Sequence, residues 1–159
     1  MVIGGGVAGC VVASILSDDP SNDVVLLESG PDHGGSVDAV RDRGPLLDCP
    51  ARSRADAVVT RRRGQPAVTY PQGSGLGGSS LINGGVVTGA GPAGRLPLEA
   101  PTGVGGLGRA VLAAEPDARL VRLVRRGGER VSAADVYIAP VRSRPNLTVE
   151  TGTNAIRLV

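Results

Sequence analysis

The segment Gly4-Gly5-Gly6-Val7-Ala8-Gly9 constrains this chain more than any other. It follows a short apolar run, Met1-Val2-Ile3, and precedes a stretch with apolar residues at Val11, Val12, Ile15 and Leu16. That spacing is helical. A second apolar run, Val24 to Leu27, ends in Glu28. Strand, glycine turn, helix, strand and acid, in that order, predict an α/β domain of Rossmann type built on a βαβ unit. Gly4 allows the tight turn, Gly6 lets a pyrophosphate approach the backbone, and Gly9 lets helix and strand pack closely. The helix start at Val7 and Ala8 offers N–H groups and a positive dipole end to phosphates. Glu28 stands 19 residues after Gly9, close to the roughly 20 expected of a ribose-binding acid. The competing reading is an ordinary βαβ turn with Glu28 as a solvated strand end.

This motif alone does not separate FAD from NAD, although the acid argues against NADP. A second glycine-rich stretch bears on the choice. Residues 69 to 85 read TYPQGSGLGGSSLINGG. This is not a P-loop, because the phosphate lysine position holds Ser79. Its small residues suit an anion-binding nest of backbone N–H groups. A flexible Gly/Ser linker is the plain alternative, but Leu76, Ile82 and Asn83 interrupt the low complexity.

The stretch resembles the first signature of the glucose–methanol–choline (GMC) oxidoreductases, of the form GxxLGGSSxxNGM, at Gly73, Leu76, Gly77, Gly78, Ser79, Ser80, Ile82, Asn83 and Gly84. LLESGPD after the second strand is similar to the LLEAG-type segment of FAD enzymes. The resemblance implies FAD as cofactor, with the pyrophosphate beside Gly77 to Ser80. It places Asn83 and the backbone of Gly84, Gly85 and Val86 near the flavin ring, and Ser29 beside Glu28. It implies an alcohol as the small-molecule substrate, its hydride passing to the flavin. Where some members link FAD through a histidine, this chain has Ile82, so no covalent link is expected. Val87 stands where an aromatic is usual, and the position near Ser74 lacks the usual basic residue.

A third stretch, residues 127 to 159, resembles the family segment in which a helix of SAADAYL type leads to RPNLTV. Ser132 and Asp135 have capping-box spacing, Pro140 and Pro145 would bound the following loop, and Leu147 to Val149 reads as a strand. Ala155 is the nearest match to a residue whose backbone meets the adenine side.

The resemblance covers residues 1 to 90 and about 127 to 159, with a low-complexity join at 91 to 126 in place of a much longer family insertion. The predicted fold is therefore a Rossmann-like FAD-binding domain that is incomplete, its substrate domain largely absent. The chain reads as a fragment with an internal deletion, or as a decayed gene. A second chain supplying the missing domain is one way such a fragment would function. A non-catalytic nucleotide-binding module and an NAD-binding Rossmann protein are the other readings.

No residue reads as catalytic. The one histidine, His33, lies in a loop after the second strand, where it is expected to be solvated, and the family's C-terminal base and second signature are not found. No metal-ligand cluster is present. Cys10 reads as a small buried helix residue, and Cys49 has no companion. The net charge of +2, from 17 arginines against 15 acids, excludes little. Arg61 to Arg63 and Arg125-Arg126 lack the interleaved aromatics of a nucleic-acid site, and Arg61 to Arg63 are expected on a hairpin before Tyr70-Pro71. No leader or bilayer-length apolar run is visible, so a cytoplasmic, non-membrane protein is expected. With no Phe, no Trp and 25 glycines, stability is expected to be marginal without FAD or a partner.

Overall fold

The computed structural model describes residues 1–34, 56–58, 63–66, 68–70, 72–88, 96–101 and 103–157. Its strands are β1 (Val2–Ile3), β2 (Val24–Leu27), β3 (Asp56–Val58), β4 (Val68–Tyr70), β5 (Val86–Val87), β6 (Leu98–Glu99), β7 (Arg122–Arg126), β8 (Glu129–Arg130) and β9 (Leu147–Glu150). Its α-helices are α1 (Val7–Leu16) and α2 (Gly106–Ala114).

β1, β2 and β9 form a parallel sheet in the order β1-β2-β9, with Val2 opposite Leu26 and Val24 opposite Leu147. Parallel neighbours need a crossover, and α1 supplies the one between β1 and β2. This is the predicted Rossmann-like βαβ unit, with the predicted strand at Leu147 added beside it. A second sheet is antiparallel: β7 lies between β5 and β6, and β8 folds back on β7 through Gly127-Gly128. The Glu99 carboxylate accepts both turn amides, at 2.7 and 2.9 Å. The stretch 91–126, read as a low-complexity join, therefore carries β6, α2 and β7. β3 and β4 pair antiparallel, as a hairpin requires. Arg61, Arg62 and Pro71 lie outside the described residues, as does Cys49; Arg63 is exposed.

The core gathers Cys10, Ala13, Val24, Leu26, Leu76, Ala133, Ala134, Ile138, Val141 and Leu147. α1 is helical as its spacing predicts, but its buried face is not the one the large residues suggest. Cys10, Ala13 and Ser14 are buried, Val11 is half-buried, and Val12, Ile15 and Leu16 are exposed. The small side chains let the helical turn at Ala134–Ile138 come close to α1.

That turn is wider than an α-helix. It begins with the expected capping box: the Ser132 amide donates to the Asp135 carboxylate at 2.7 Å, and the Asp135 amide donates to Ser132 Oγ at 3.3 Å. Pro140 does not bound a loop, because the chain continues into a tight helical turn at Ala139–Val141. Proline fits there, in the first turn of a helical segment, where its missing N–H is not needed.

The segment Arg144-Pro145-Asn146 clamps the far end of α1. Arg144 donates to the Ser14 carbonyl at 3.0 Å, to Ser17 Oγ at 2.8 Å and to the Asp18 carboxylate at 2.6 Å. Asn146 Nδ2 donates to the carbonyls of Ser17, Asp19 and Asn22. A cation at a helix C-terminus also complements the dipole. These bonds set the turn from α1 into β2, and so the position of Glu28.

Candidate functional site

The two glycine turns, some seventy residues apart in sequence, meet. The Gly77 amide donates to the Gly5 carbonyl at 2.7 Å. A Cβ built on Gly78 would stand 2.8 Å from Gly6 Cα, so the backbones touch. The first turn extends the ladder, its Gly4 amide donating to the Leu27 carbonyl at 2.8 Å. Gly6 is then the N-cap of α1, in extended conformation, with no side chain capping the helix. The first amides of a helix have no acceptor within it, so the start of α1 at Val7 and Ala8, both exposed, carries donors with no side-chain cap.

Gly9 is where the helix crosses the strand. A Cβ there would lie 1.8 Å from the Gly4 carbonyl oxygen. At Gly6 the reverse holds, since a Cβ would meet nothing within 4 Å. The chain thus leaves open the face that a ligand's phosphates would approach and closes the face on which it packs.

Glu28 is not a solvated strand end. It is 8% exposed, and one carboxylate oxygen accepts the Gly5 amide at 2.6 Å while the other accepts the Gly30 amide at 2.8 Å and Ser29 Oγ at 3.4 Å. The acid at the end of β2 braces the first glycine turn from beneath. Ser29 is exposed beside it.

In the second turn, Gly78–Leu81 forms a short 3-10 helix. Ser79 is exposed, and its Oγ accepts the Gly73 amide at 3.2 Å. Ser80 Oγ donates to the Gly77 carbonyl and accepts the Ala133 amide at 2.8 Å, tying the turn to the third motif. Asn83 Oδ1 accepts the Gly85 amide at 2.9 Å. Asn83 and Gly84 are exposed, Gly85 is buried, and exposed Val86 opens β5 opposite Leu123. Asn83 to Val86 therefore lead from the paired turns into the second sheet. A cavity of about 200 Å³ lies there, lined by Val7, Ser80, Asn83, Val86 and Tyr137 among others. Ala155 is exposed two residues past Thr153, whose amide donates to the Glu28 carbonyl at 3.0 Å. So Gly4 to Gly9, Glu28, Ser29 and Gly77 to Ser80 come together, Ala155 is carried to the Glu28 side, and Asn83 to Val86 stand at the edge of this group.

His33 departs from expectation. It is half-buried, and its Nε2 lies 3.0 Å from the Ser74 carbonyl oxygen. With the Leu76 amide donating to the Pro31 carbonyl at 3.0 Å, it fastens the loop after β2 to the second turn. Arg142 pairs with Asp32 at 2.6 Å on the same loop, beside a cavity of about 410 Å³ lined in part by Leu76, Ala134, Asp135 and Ile138. Neither bracket was legible in sequence, where PDHGG reads only as a turn.

Cys10 lies under both turns, its Sγ 3.1 Å from the Gly5 carbonyl oxygen. Burial pushes its thiol up to about 12, against the pull of the Gly77 backbone, with the nearby Glu28 charge adding to the rise. The folded state therefore holds this proton over a range where an unfolded thiol, near 9.0, loses it. The stability this contributes is complete below pH 9 and is lost as pH rises through 12. At pH 8, iodoacetamide should leave Cys10 unmodified in the native protein and alkylate it in urea, as read by peptide mass mapping. Native labelling as fast as that of a free thiol would contradict the packing of the two turns.

Among the described residues no group of acids, His and Cys is placed to hold a metal ion, and no helix is long and apolar enough to cross a membrane.

The chain matches the family "NAD(P)-binding Rossmann-like domain" over residues 2–57. It is 30% identical to an uncharacterized GMC-type oxidoreductase of Rhodococcus erythropolis, over all of this chain and 44% of that protein. It is 35% identical to an alcohol dehydrogenase [acceptor] of Pseudomonas putida, over 52% of this chain and 15% of that protein. Among solved structures, pyridoxine 4-oxidase from Mesorbium loti superposes with a TM-score of 0.78 at 24% identity, over 95% of this chain and 41% of that one. A formate oxidase does so with a TM-score of 0.75 at 16% identity, over 99% and 39%. These likenesses show the fold, and the chain spans less than half the length of these proteins.

Proposed function

Because the chain belongs to the GMC-type oxidoreductases, we infer that it binds FAD across its two glycine turns, as the flavin-binding part of an enzyme that oxidises the CH–OH group of an alcohol. One observation carries this reading: the second turn packs on the first beside the start of α1, with Gly77 bonded to Gly5 and the Gly6 face left open. An extended cofactor with a pyrophosphate fits that surface, since it asks for backbone donors and for space where a side chain would stand.

In this reading Gly6, Val7, Ala8, Gly78 and Ser79 hold the pyrophosphate, with Gly4, Gly9 and Gly77 shaping the turns and Ser80 fixing the second one to Ala133. Glu28, with Ser29, takes the adenosine ribose. The Glu28 oxygen that accepts the Gly5 amide has a second lone pair, while the other accepts both the Gly30 amide and the weaker Ser29 Oγ bond, which a ribose hydroxyl would replace. Ala155 lies toward the adenine, and Asn83, Gly84, Gly85 and Val86 toward the flavin ring. FAD, when bound, supplies the hydride acceptor. No residue of this chain is assigned the proton of the alcohol: His33 is engaged with the Ser74 carbonyl and lies on the nucleotide side. The chain by itself is accordingly expected to bind the cofactor without turnover, and to act in the cytoplasm.

The Rossmann match at residues 2–57 also suits NAD, and the test separates the two. The purified protein should carry, or take up, a yellow chromophore. Titration with FAD should quench flavin fluorescence, with an affinity at least tenfold above that for NAD. A colourless protein binding NAD as tightly as FAD would sink the flavin reading.

A further inference from the structure

Arg130 stands where the second sheet meets the second glycine turn. It closes β8, which the two-residue turn Gly127-Gly128 folds back on β7. Both turn glycines have positive φ, 62° and 81°, as a type I′ hairpin turn requires. That turn sets the cross-strand pairs. Arg126 faces Glu129, opposite in charge, while Arg125 faces Arg130, alike in charge. Like charges directly opposite are destabilising. Glu99 on the adjoining β6 gives its two oxygens to the Gly127 and Gly128 amides. Arg125 donates to the Gly128 carbonyl at 3.4 Å, and its buried Nε makes no hydrogen bond. The hairpin thus concentrates positive charge on the face that carries Arg130.

Arg130 brings that charge to the second glycine turn. It is half-buried, and its guanidinium lies 3.5 Å from Asn83 Oδ1, the oxygen that also accepts the Gly85 amide at 2.9 Å. A Cβ built on Gly85 would stand 4.0 Å from Arg130 Nε. The guanidinium therefore lies along the turn from Asn83 to Gly85. The chain then runs on into Val131 and Ser132, which line the cavity of about 200 Å³ together with Val7, Asn83, Val86 and Tyr137. A cation is set against the turn that walls this cavity. The other walls are largely apolar, and charge is screened less there than in water.

We propose that Arg130 is a positioning residue for the flavin ring, bracing the turn at residues 83–86 through the Asn83 side chain and setting a positive charge behind it. This rests on the flavin-binding reading, in which that turn lies toward the ring. The oxidised ring is neutral. Taking up a hydride, two electrons and one proton, makes it an anion. A fixed cation nearby favours the anion, and so the reduced cofactor over the oxidised one. Arginine suits this place because its guanidinium stays charged and bonds Asn83 without losing the charge.

The test loads the purified chain with FAD and reduces it with dithionite beside a redox dye. In the wild type, reduced FAD should be held more tightly than oxidised FAD, so that the midpoint lies above that of free FAD. A midpoint below it overturns the proposal with no variant needed, so a misfolded variant does not rescue it. Arg130→Gln should lower the ratio of reduced to oxidised affinity at least tenfold, which is about 30 mV for a two-electron couple. Arg130→Lys keeps the charge and should stay within threefold of the wild type. Arg126→Gln removes the same charge from the other face of the hairpin and should leave the ratio unchanged. An unchanged ratio in Arg130→Gln, an equal loss in Arg130→Lys, or an equal loss in Arg126→Gln each overturns the assignment while leaving FAD binding intact. A wild-type chain that takes up no FAD rejects the flavin reading itself, and the assignment with it.

Discussion

Gly9→Ala should abolish cooperative folding or lower the urea midpoint steeply, while Gly6→Ala three residues earlier should fold like the wild type and lose the cofactor. At Gly9 the new methyl would sit 1.8 Å from the Gly4 carbonyl oxygen. No rotamer relieves a clash between a Cβ and backbone, so α1 must lift from β1. The core under it, Cys10, Ala13 and Leu26, would lose its packing. Forcing extra volume into a packed core costs about 1–3 kcal/mol, and a backbone clash falls at or above the top of that range. A whole domain is stable by only about 5–15 kcal/mol. At Gly6 the methyl meets no atom of the chain within 4 Å, and the backbone is already extended. Replacing an N-cap glycine by alanine costs about 1 kcal/mol or less. The same methyl stands where the pyrophosphate would pass, so FAD affinity should fall at least tenfold. Urea denaturation followed by circular dichroism, paired with flavin fluorescence titration, separates the two effects. Equal midpoints for the two variants would show that Gly9 does not hold helix to strand. Undiminished FAD binding in Gly6→Ala would show that the open face is not the phosphate path.

The contrast also shows what was legible in sequence. The βαβ unit was readable because its requirements are local: a close approach at Gly9, an open turn at Gly6, and apolar runs on either side. Leu147 to Val149 was readable as a strand for the same reason. Of the buried face of α1 only Cys10 was readable, as a small buried helix residue; the rest was not, because it is decided by a partner more than a hundred residues away. The turn at Ala134–Ile138 comes close to Cys10, Ala13 and Ser14 because they are small, and that proximity outweighs the greater hydrophobicity of Val12, Ile15 and Leu16. Arg144 and Asn146 looked like part of a loop before a strand. Their bonds to the end of α1 span 124 to 130 residues, and no periodicity encodes such a contact. His33 was misjudged for a related reason. A loop histidine is usually solvated, and only the second glycine turn, folded back onto Pro31, gives its ring a carbonyl partner.

Glu28 carries the other large expected effect, because structure and cofactor are coupled in one carboxylate. Read from spacing, it is a ribose acceptor. In the fold, one of its oxygens already accepts the Gly5 amide and the other the Gly30 amide, so it holds the first glycine turn and the loop after β2 together. Glu28→Ala leaves two buried donors unpaired, at about 1–3 kcal/mol each, and should destabilise the protein by about 2–5 kcal/mol while removing FAD binding. Glu28→Gln separates the two roles in part. Its amide oxygen can still accept one of the two amides, but its NH₂ group must face the other donor, so stability should fall to an intermediate value. If Glu28 were only a ligand group, Glu28→Ala would melt at the wild-type temperature without FAD and would differ only when FAD is added. If it braces the turn, the loss is present in the cofactor-free protein, and added FAD recovers little of it. Thermal melts with and without FAD decide between these outcomes. The second one would mean that an acid at this position shapes the phosphate turn before it meets the ribose.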